Sequence, residues 1–232
     1  MLHRKPLEKV PVRPATSAWD SLRCALVAAG VFLLGCGKTV QEQVVEHNRT
    51  GVGYLVQHQY VAAEEQFRQA LQLAPEDLTA HYNLAVAAHL RGQNEQAEQH
   101  YRYCLLQDPL FLPARRALAQ LLWHQGRQRE LEALIVPWVR DRPNSADAQA
   151  LYGWYLARLG DYPAAAAALD RALALDPQNA FALAERGRIY EIYRYPERAR
   201  SLYERSLQHD PWQPELRARL TRLRFHRPAL PP

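Results

Sequence analysis

Residues 146–179 read ADAQALYGWYLARLGDYPAAAAALDRALALDPQN, and the next 34, at 180–213, read AFALAERGRIYEIYRYPERARSLYERSLQHDPWQ. The two stretches differ at most positions. They agree in character where packing is decided: Gly153 with Gly187, Ala165 with Ala199, Leu169 with Tyr203, Ala172 with Ser206, and Pro177 with Pro211. The register continues towards the N-terminus, with prolines at 75, 109, 143, 177 and 211, always 34 residues apart. Three further columns keep phase with them: Gly51, Ala85 and Ala119; Ala63, Ala97 and Leu131; Phe67, Tyr101 and Ile135. Ala70, Cys104 and Trp138 precede Ala172 and Ser206 in a fourth. A fixed period of this length marks an array of stacked supersecondary units. Five units, 44–77, 78–111, 112–145, 146–179 and 180–213, cover 170 of the 232 residues.

Each unit divides at turn signals such as Arg91-Gly92, Gln125-Gly126 and Leu159-Gly160-Asp161 into two helical stretches. The pattern predicts helices over 45–58, 60–73, 78–91, 94–107, 112–125, 128–140, 146–159, 162–175, 180–193 and 196–209. Small residues in both helices let the backbones approach, and the large apolar column fills the seam. The boundary proline cannot continue a helix and turns the residue before it away from helical geometry. Pro214 suits the first turn of an eleventh helix reaching about Phe225, with Leu216, Leu220 and Leu223 at helical spacing and arginines around them. Such a helix would cover the last apolar face of the array as a cap, or dock an acidic partner or lipid headgroup. Repeat 3 departs from the pattern, with Leu131 and Trp138 in small-residue columns and Pro137 inside its second helix. The array is expected to bend there, either as local repacking or as a shaped binding surface.

The 34-residue helical hairpin with these columns resembles the tetratricopeptide repeat. The resemblance implies an all-α, right-handed α-solenoid of five hairpins, closed by the segment 214–232 as capping helix and Pro-rich tail. It also implies a concave groove lined by the first helix of each hairpin, binding a protein or extended peptide. The groove positions map to Asn48 and Val52; Tyr82, Val86 and His89; Arg116, Gln120 and Trp123; Asp147, Ala150 and Trp154; and Glu185, Arg188 and Glu191. Trp123, Trp154 and Tyr82 have the rigid surfaces that anchor interfaces, with Arg116 and Arg188 as charge partners; the same rings would serve equally to close the core between repeats. The family's carboxylate clamp requires Lys and Asn where repeat 1 has Asn48 and Val52, so that clamp is missing.

Ahead of the array, a polar segment with several cations precedes the apolar run CALVAAGVFLLG at 24–35. Its 12 residues fall short of the about 20 that span a bilayer and fit the 7–15 of a secretory h-region. The run ends in Leu33, Leu34, Gly35 and Cys36, which resembles the lipobox of bacterial lipoproteins. That resemblance implies a signal peptide over 1–35, a diacylglycerol thioether on Cys36, and a short tether over 36–43. It further implies a bacterial envelope location. Gly37 stands where an Asp would favour inner-membrane retention, so the outer membrane facing the periplasm is expected. An uncleaved signal anchor is the other reading.

The formal charge of +5 does not describe the repeats: residues 1–35 carry +3 and 214–232 carry +4, leaving −2 for the body. A chain that tracks nucleic-acid phosphates needs a basic stripe on its folded surface, so no nucleic-acid partner is expected. Gly35-Cys36-Gly37-Lys38-Thr39 imitates the end of a phosphate-binding loop, but Phe32 stands where the loop needs glycine. Cys24, Cys36 and Cys104 are too few and too scattered for a disulfide framework or a zinc knuckle. His81 and His89 lie on different faces of one helix, and His100 with Cys104 supplies two ligands only. No nucleophile or paired-carboxylate motif appears. Enzyme activity, cofactor and metal are therefore not expected. The sequence points to a membrane-anchored scaffold in a pilus, outer-membrane or cell-wall system, or alternatively to an accessory subunit of a cell-wall enzyme complex.

Overall fold

The computed structural model describes residues 38–225. The segment 1–35, the lipobox residues Leu33, Leu34, Gly35 and Cys36, and the tail beyond Phe225 lie outside the described residues. Five helical hairpins follow one another: α1 Val40–Val56 with α2 Tyr60–Leu73, α3 Leu78–Leu90 with α4 Asn94–Gln107, α5 Leu112–His124 with α6 Gln128–Asp141, α7 Ala146–Arg158 with α8 Tyr162–Leu175, and α9 Ala180–Ile192 with α10 Pro196–His209. α11, Pro214–Phe225, closes the array. Among the described residues there is no strand. The first helix of each hairpin is called A and the second B. The second helices match the predicted spans to within a residue. α1 instead begins at Val40, inside the stretch expected as tether, with Val44 buried in its first turns.

Local chemistry sets the helix ends. Asp77, Ser145 and Asn179 cap α3, α7 and α9 by accepting from the N–H groups of Ala80, Ala148 and Ala182 at 2.6, 3.2 and 2.9 Å. Between A and B the chain passes through the left-handed region at Gly92, Gly126 and Gly160. The same register position holds His58 (φ 58°) in repeat 1 and Arg194 (φ 62°) in repeat 5, where a side chain makes that geometry cost about 1–2 kcal/mol. At the repeat boundaries a polar side chain six residues beyond the proline donates to its carbonyl. His81 Nε2 reaches Pro75 at 2.9 Å, Arg115 reaches Pro109 at 2.7 Å, and Gln149 reaches Pro143 at 2.8 Å.

The repeating columns form the core. Ala63, Ala97, Leu131, Ala165 and Ala199 are wholly buried, as are Phe67, Ile135, Leu169 and Tyr203 across the seam. Contact is closest where glycine faces a large ring or branched chain: a Cβ on Gly51, Gly153 or Gly187 would stand 2.4, 2.6 or 2.5 Å from Phe67, Leu169 or Tyr203. Cys104 and Ser206 share a column and do the same work, donating to the Leu78 and Ala180 carbonyls at 3.6 and 2.7 Å. In repeat 3 the helices stand further apart than in the other hairpins, because Leu131 and Trp138 fill the seam where alanines allow contact. α6 runs on through Pro137; the carbonyl it leaves without an amide partner belongs to Ala133, which is exposed to water. α11 lays Leu216 and Leu220 over Ala184, Ala199 and Tyr203, so it covers the last repeat as a cap.

Candidate functional site

The A helices of repeats 1 and 2, 2 and 3, and 4 and 5 pack against one another, and the repeat register brings a residue from each repeat to every position along the A helices. The upper position runs Asn48, Tyr82, Arg116, Ala150; the middle one Val52, Val86, Gln120, Trp154, Arg188; the lower one Leu55, His89, Trp123, Ala157, Glu191. The structure divides the predicted groove residues into three groups.

One group is structural. Asn48 is buried and donates to Asp77 Oδ1 at 3.2 Å, while Asn83 donates to Asn48 Oδ1 at 3.4 Å, tying α1 to the start of α3. Trp154 is 2% exposed inside the core cluster of repeats 2–4, with Arg158 5.5 Å from its ring centroid. As an accessible anchor it is corrected to a core residue, because it is enclosed on the face where an open ring was expected. Ala150 is buried as well, and Asp147 accepts from Asn179 Nδ2 at 2.8 Å.

A second group is tied up in ion pairs with the cap. Arg188 lies 3.5 Å from Glu185 and 3.2 Å from Glu215 of α11. Glu191 accepts from the Tyr203 hydroxyl at 2.7 Å and from Arg219 of α11 at 3.1 Å. Burial pushes the Glu185 carboxyl up, opposed by Arg188, Arg158 and Arg116. Arg188 as a free charge partner is therefore corrected: its charge is already matched, and α11 supplies part of the match.

The third group remains available. Tyr82, Val86, Arg116 and Trp123 are half-buried, while Val52 and Gln120 are exposed. The Arg116 guanidinium sits 3.9 Å over the Phe181 ring, and burial lowers its pKa against the pull of Tyr82, Asp210, Asp147 and Glu185. Burial raises the Tyr82 phenol. His89, at the same register position as Trp123, has a buried Nδ1 with no hydrogen-bond partner. This stretch of repeats 2 and 3 presents half-buried aromatic and apolar area beside a half-buried cation.

Cys104 is a core thiol whose pKa burial pushes up to about 11. No cluster of three or more potential metal ligands occurs among the described residues. No described helix is long and apolar enough to cross a membrane. Among the contacts between helices that sequence reasoning missed, His81 and His100 meet with Nδ1 atoms 3.0 Å apart, and Tyr103 packs on His81. Lying on α3 and α4, they are 19 residues apart, and only the hairpin brings them together.

The family model of the tetratricopeptide repeat matches residues 49–109 and 128–180. Over those residues the array has the repeat of that family. A thermophilic TPR protein of Thermus thermophilus superposes with a TM-score of 0.60 at 24% identity, over 78% of this chain and 98% of that one. The structure of Pseudomonas aeruginosa pilF superposes with a TM-score of 0.54 at 21% identity, over 80% and 85%. At these identities the likeness is one of fold. No curated protein matches the chain. Tetratricopeptide repeats are non-enzymatic scaffolds that bind proteins or peptides.

Proposed function

We propose that the chain is a membrane-tethered scaffold of the bacterial envelope that binds a protein or extended peptide on the A-helix face of repeats 2 and 3. The observation that carries the binding reading is the stretch containing Tyr82, His89, Arg116 and Trp123. Two half-buried aromatics, a half-buried histidine and a stacked guanidinium lie on the A-helix face of these two repeats. The tether is supported by the apolar run at 24–35 ending in Leu33, Leu34, Gly35 and Cys36. Acyl chains contribute about 0.8 kcal/mol per buried methylene, so more than one on Cys36 anchors stably. Gly37 favours the outer membrane, facing the periplasm. The machine served is a pilus, outer-membrane or cell-wall assembly.

Trp123→Ala tests the face. Truncating an interface anchor costs about 2 kcal/mol or more, a roughly thirtyfold loss of affinity. The native partner is recovered with wild-type protein from solubilised membranes and titrated against both forms. The reading fails if the variant folds normally and binds with unchanged affinity, or if it melts many degrees lower and so shows Trp123 to be a core residue.

A further inference from the structure

The A–B turn of repeat 5 has the backbone of its sister turns and a different surface. Arg194 N–H donates to the Glu191 carbonyl at 3.1 Å and Tyr195 N–H to the Tyr190 carbonyl at 2.8 Å. Gly126 and Arg127 make the equivalent bonds to Trp123 and Leu122 at 3.0 and 2.9 Å. Glycine therefore satisfies this geometry, yet the left-handed position holds Arg194. A strained residue where the unstrained one would fold the same turn calls for a role outside the fold.

The side chains around it supply that role. Tyr193 and Tyr195, flanking Arg194, are 47% and 53% exposed. The Tyr193 ring meets Tyr162 with centroids 6.1 Å apart, and Tyr195 meets Tyr190 at 6.3 Å. Arg198 lies 5.6 and 5.4 Å from the Tyr190 and Tyr195 rings. Arg194 and Arg198 have no carboxylate partner among the described residues, because the nearby acids are taken. Asp170 pairs with Arg186, Glu191 with Arg219, Glu197 with Arg200, and Asp161 caps the Ala164 N–H. On a repeat body of net charge −2 this is a local positive patch with four tyrosine rings.

We propose that the turn Tyr193–Arg194–Tyr195, with Tyr162, Tyr190 and Arg198, is a second docking surface, distinct from the A-helix face, and that it takes an acidic segment of a partner protein. Tyrosine and arginine are the residues enriched in protein interfaces, tyrosine giving rigid area and arginine a fork that matches a carboxylate. Two unmatched cations complement a short acidic segment, and they are fewer than the cluster of about 4–8 that holds an anionic membrane. The Arg198 guanidinium, exposed beside the Tyr190 and Tyr195 rings, is open to a carboxylate on a partner.

The probes are a fluorescein-labelled peptide of alternating glutamate and leucine, its glutamine-for-glutamate counterpart, and phosphatidylglycerol vesicles. Fluorescence anisotropy should show salt-sensitive binding of the glutamate peptide, weakened about tenfold or more in Arg194→Gly/Arg198→Gln. The Arg194→Gly change should raise the melting temperature by about 2 °C, which separates lost binding from lost folding. Arg217→Gln/Arg222→Gln on α11 should bind as wild type does. The proposal is overturned if the Arg194→Gly/Arg198→Gln variant binds undiminished, if the glutamine peptide binds equally, if the vesicles bind more tightly than the peptide, or if the α11 control variant abolishes binding. The A-helix reading stands or falls separately, on Trp123 and the native partner.

Discussion

Gly51 and Gly53 lie two residues apart on α1 and face different surroundings, which makes them a matched test of how closely the hairpin is packed. A Cβ on Gly53 would meet nothing within 4 Å; one on Gly51 would stand 2.4, 2.7 and 2.8 Å from three ring atoms of Phe67. Both substitutions to alanine gain about 1 kcal/mol of helix propensity. At Gly53 that gain is realised, so Gly53→Ala should be about 1 kcal/mol more stable than wild type. At Gly51 the new methyl has to displace a ring that is wholly buried, and overpacking of that kind costs typically about 1–3 kcal/mol, with the short contacts placing this case at the upper end. Gly51→Ala should therefore be roughly 1–2 kcal/mol less stable than wild type. The two alanine variants should differ by about 2–3 kcal/mol, or roughly 4–12 °C in melting temperature for a domain of this size. Thermal unfolding followed by circular dichroism, with urea midpoints as a second measure, reads the difference. Equal melting temperatures, or a Gly51→Ala protein that melts above Gly53→Ala, would refute the account of the small-residue column as the site of backbone approach.

Burial, His81 and Arg68 together hold the His100 pKa below its ordinary 6.5, with Tyr103 packed on His81 beside it. His100 is thus neutral in the fold, its contribution is intact above pH 6.5 and is lost as pH falls towards the lowered value, so His100→Gln should flatten the acid side of the stability curve below pH 6.5. Replacing Leu216 of α11 with alanine should cost about 2 kcal/mol or more and broaden the melting of repeat 5, because the cap covers Tyr203 and Ala199; an unchanged melting curve counts against capping. Cys36→Ala should release the protein from membranes and remove labelling by a palmitate analogue, and label that persists in the variant counts against lipidation at that residue.

The period of 34 was enough to locate every hairpin, because a repeat that packs only against its neighbours must present the same small, large and proline positions each time. Gly51, Gly153 and Gly187 opposite Phe67, Leu169 and Tyr203 were legible for that reason, as was the structural use of Cys104 and Ser206. α1 escaped its predicted start because its first four residues, 40–43, precede the first repeat and so lie outside the register, while Val44, the first residue of that repeat, is buried. Arg194 was legible only by alignment with Gly92, Gly126 and Gly160, since nothing local in Tyr193-Arg194-Tyr195 signals a left-handed turn. Register assigned Trp123 and Trp154 alike to the A-helix face, and it could not tell them apart. Register fixes the direction of a side chain on its own helix, whereas burial depends on the volumes that neighbouring helices bring to it. Trp154 is enclosed by the core of repeats 2–4 and Trp123 is left half open. Arg188 and Glu191 are matched by Glu215 and Arg219 from a helix beyond the last repeat, and His81 meets His100 across a hairpin. Sequence by itself determined the array, a one-dimensional property of spacing. Tertiary structure decided which of its face residues remain open to a partner, because that depends on contacts between residues far apart in the chain.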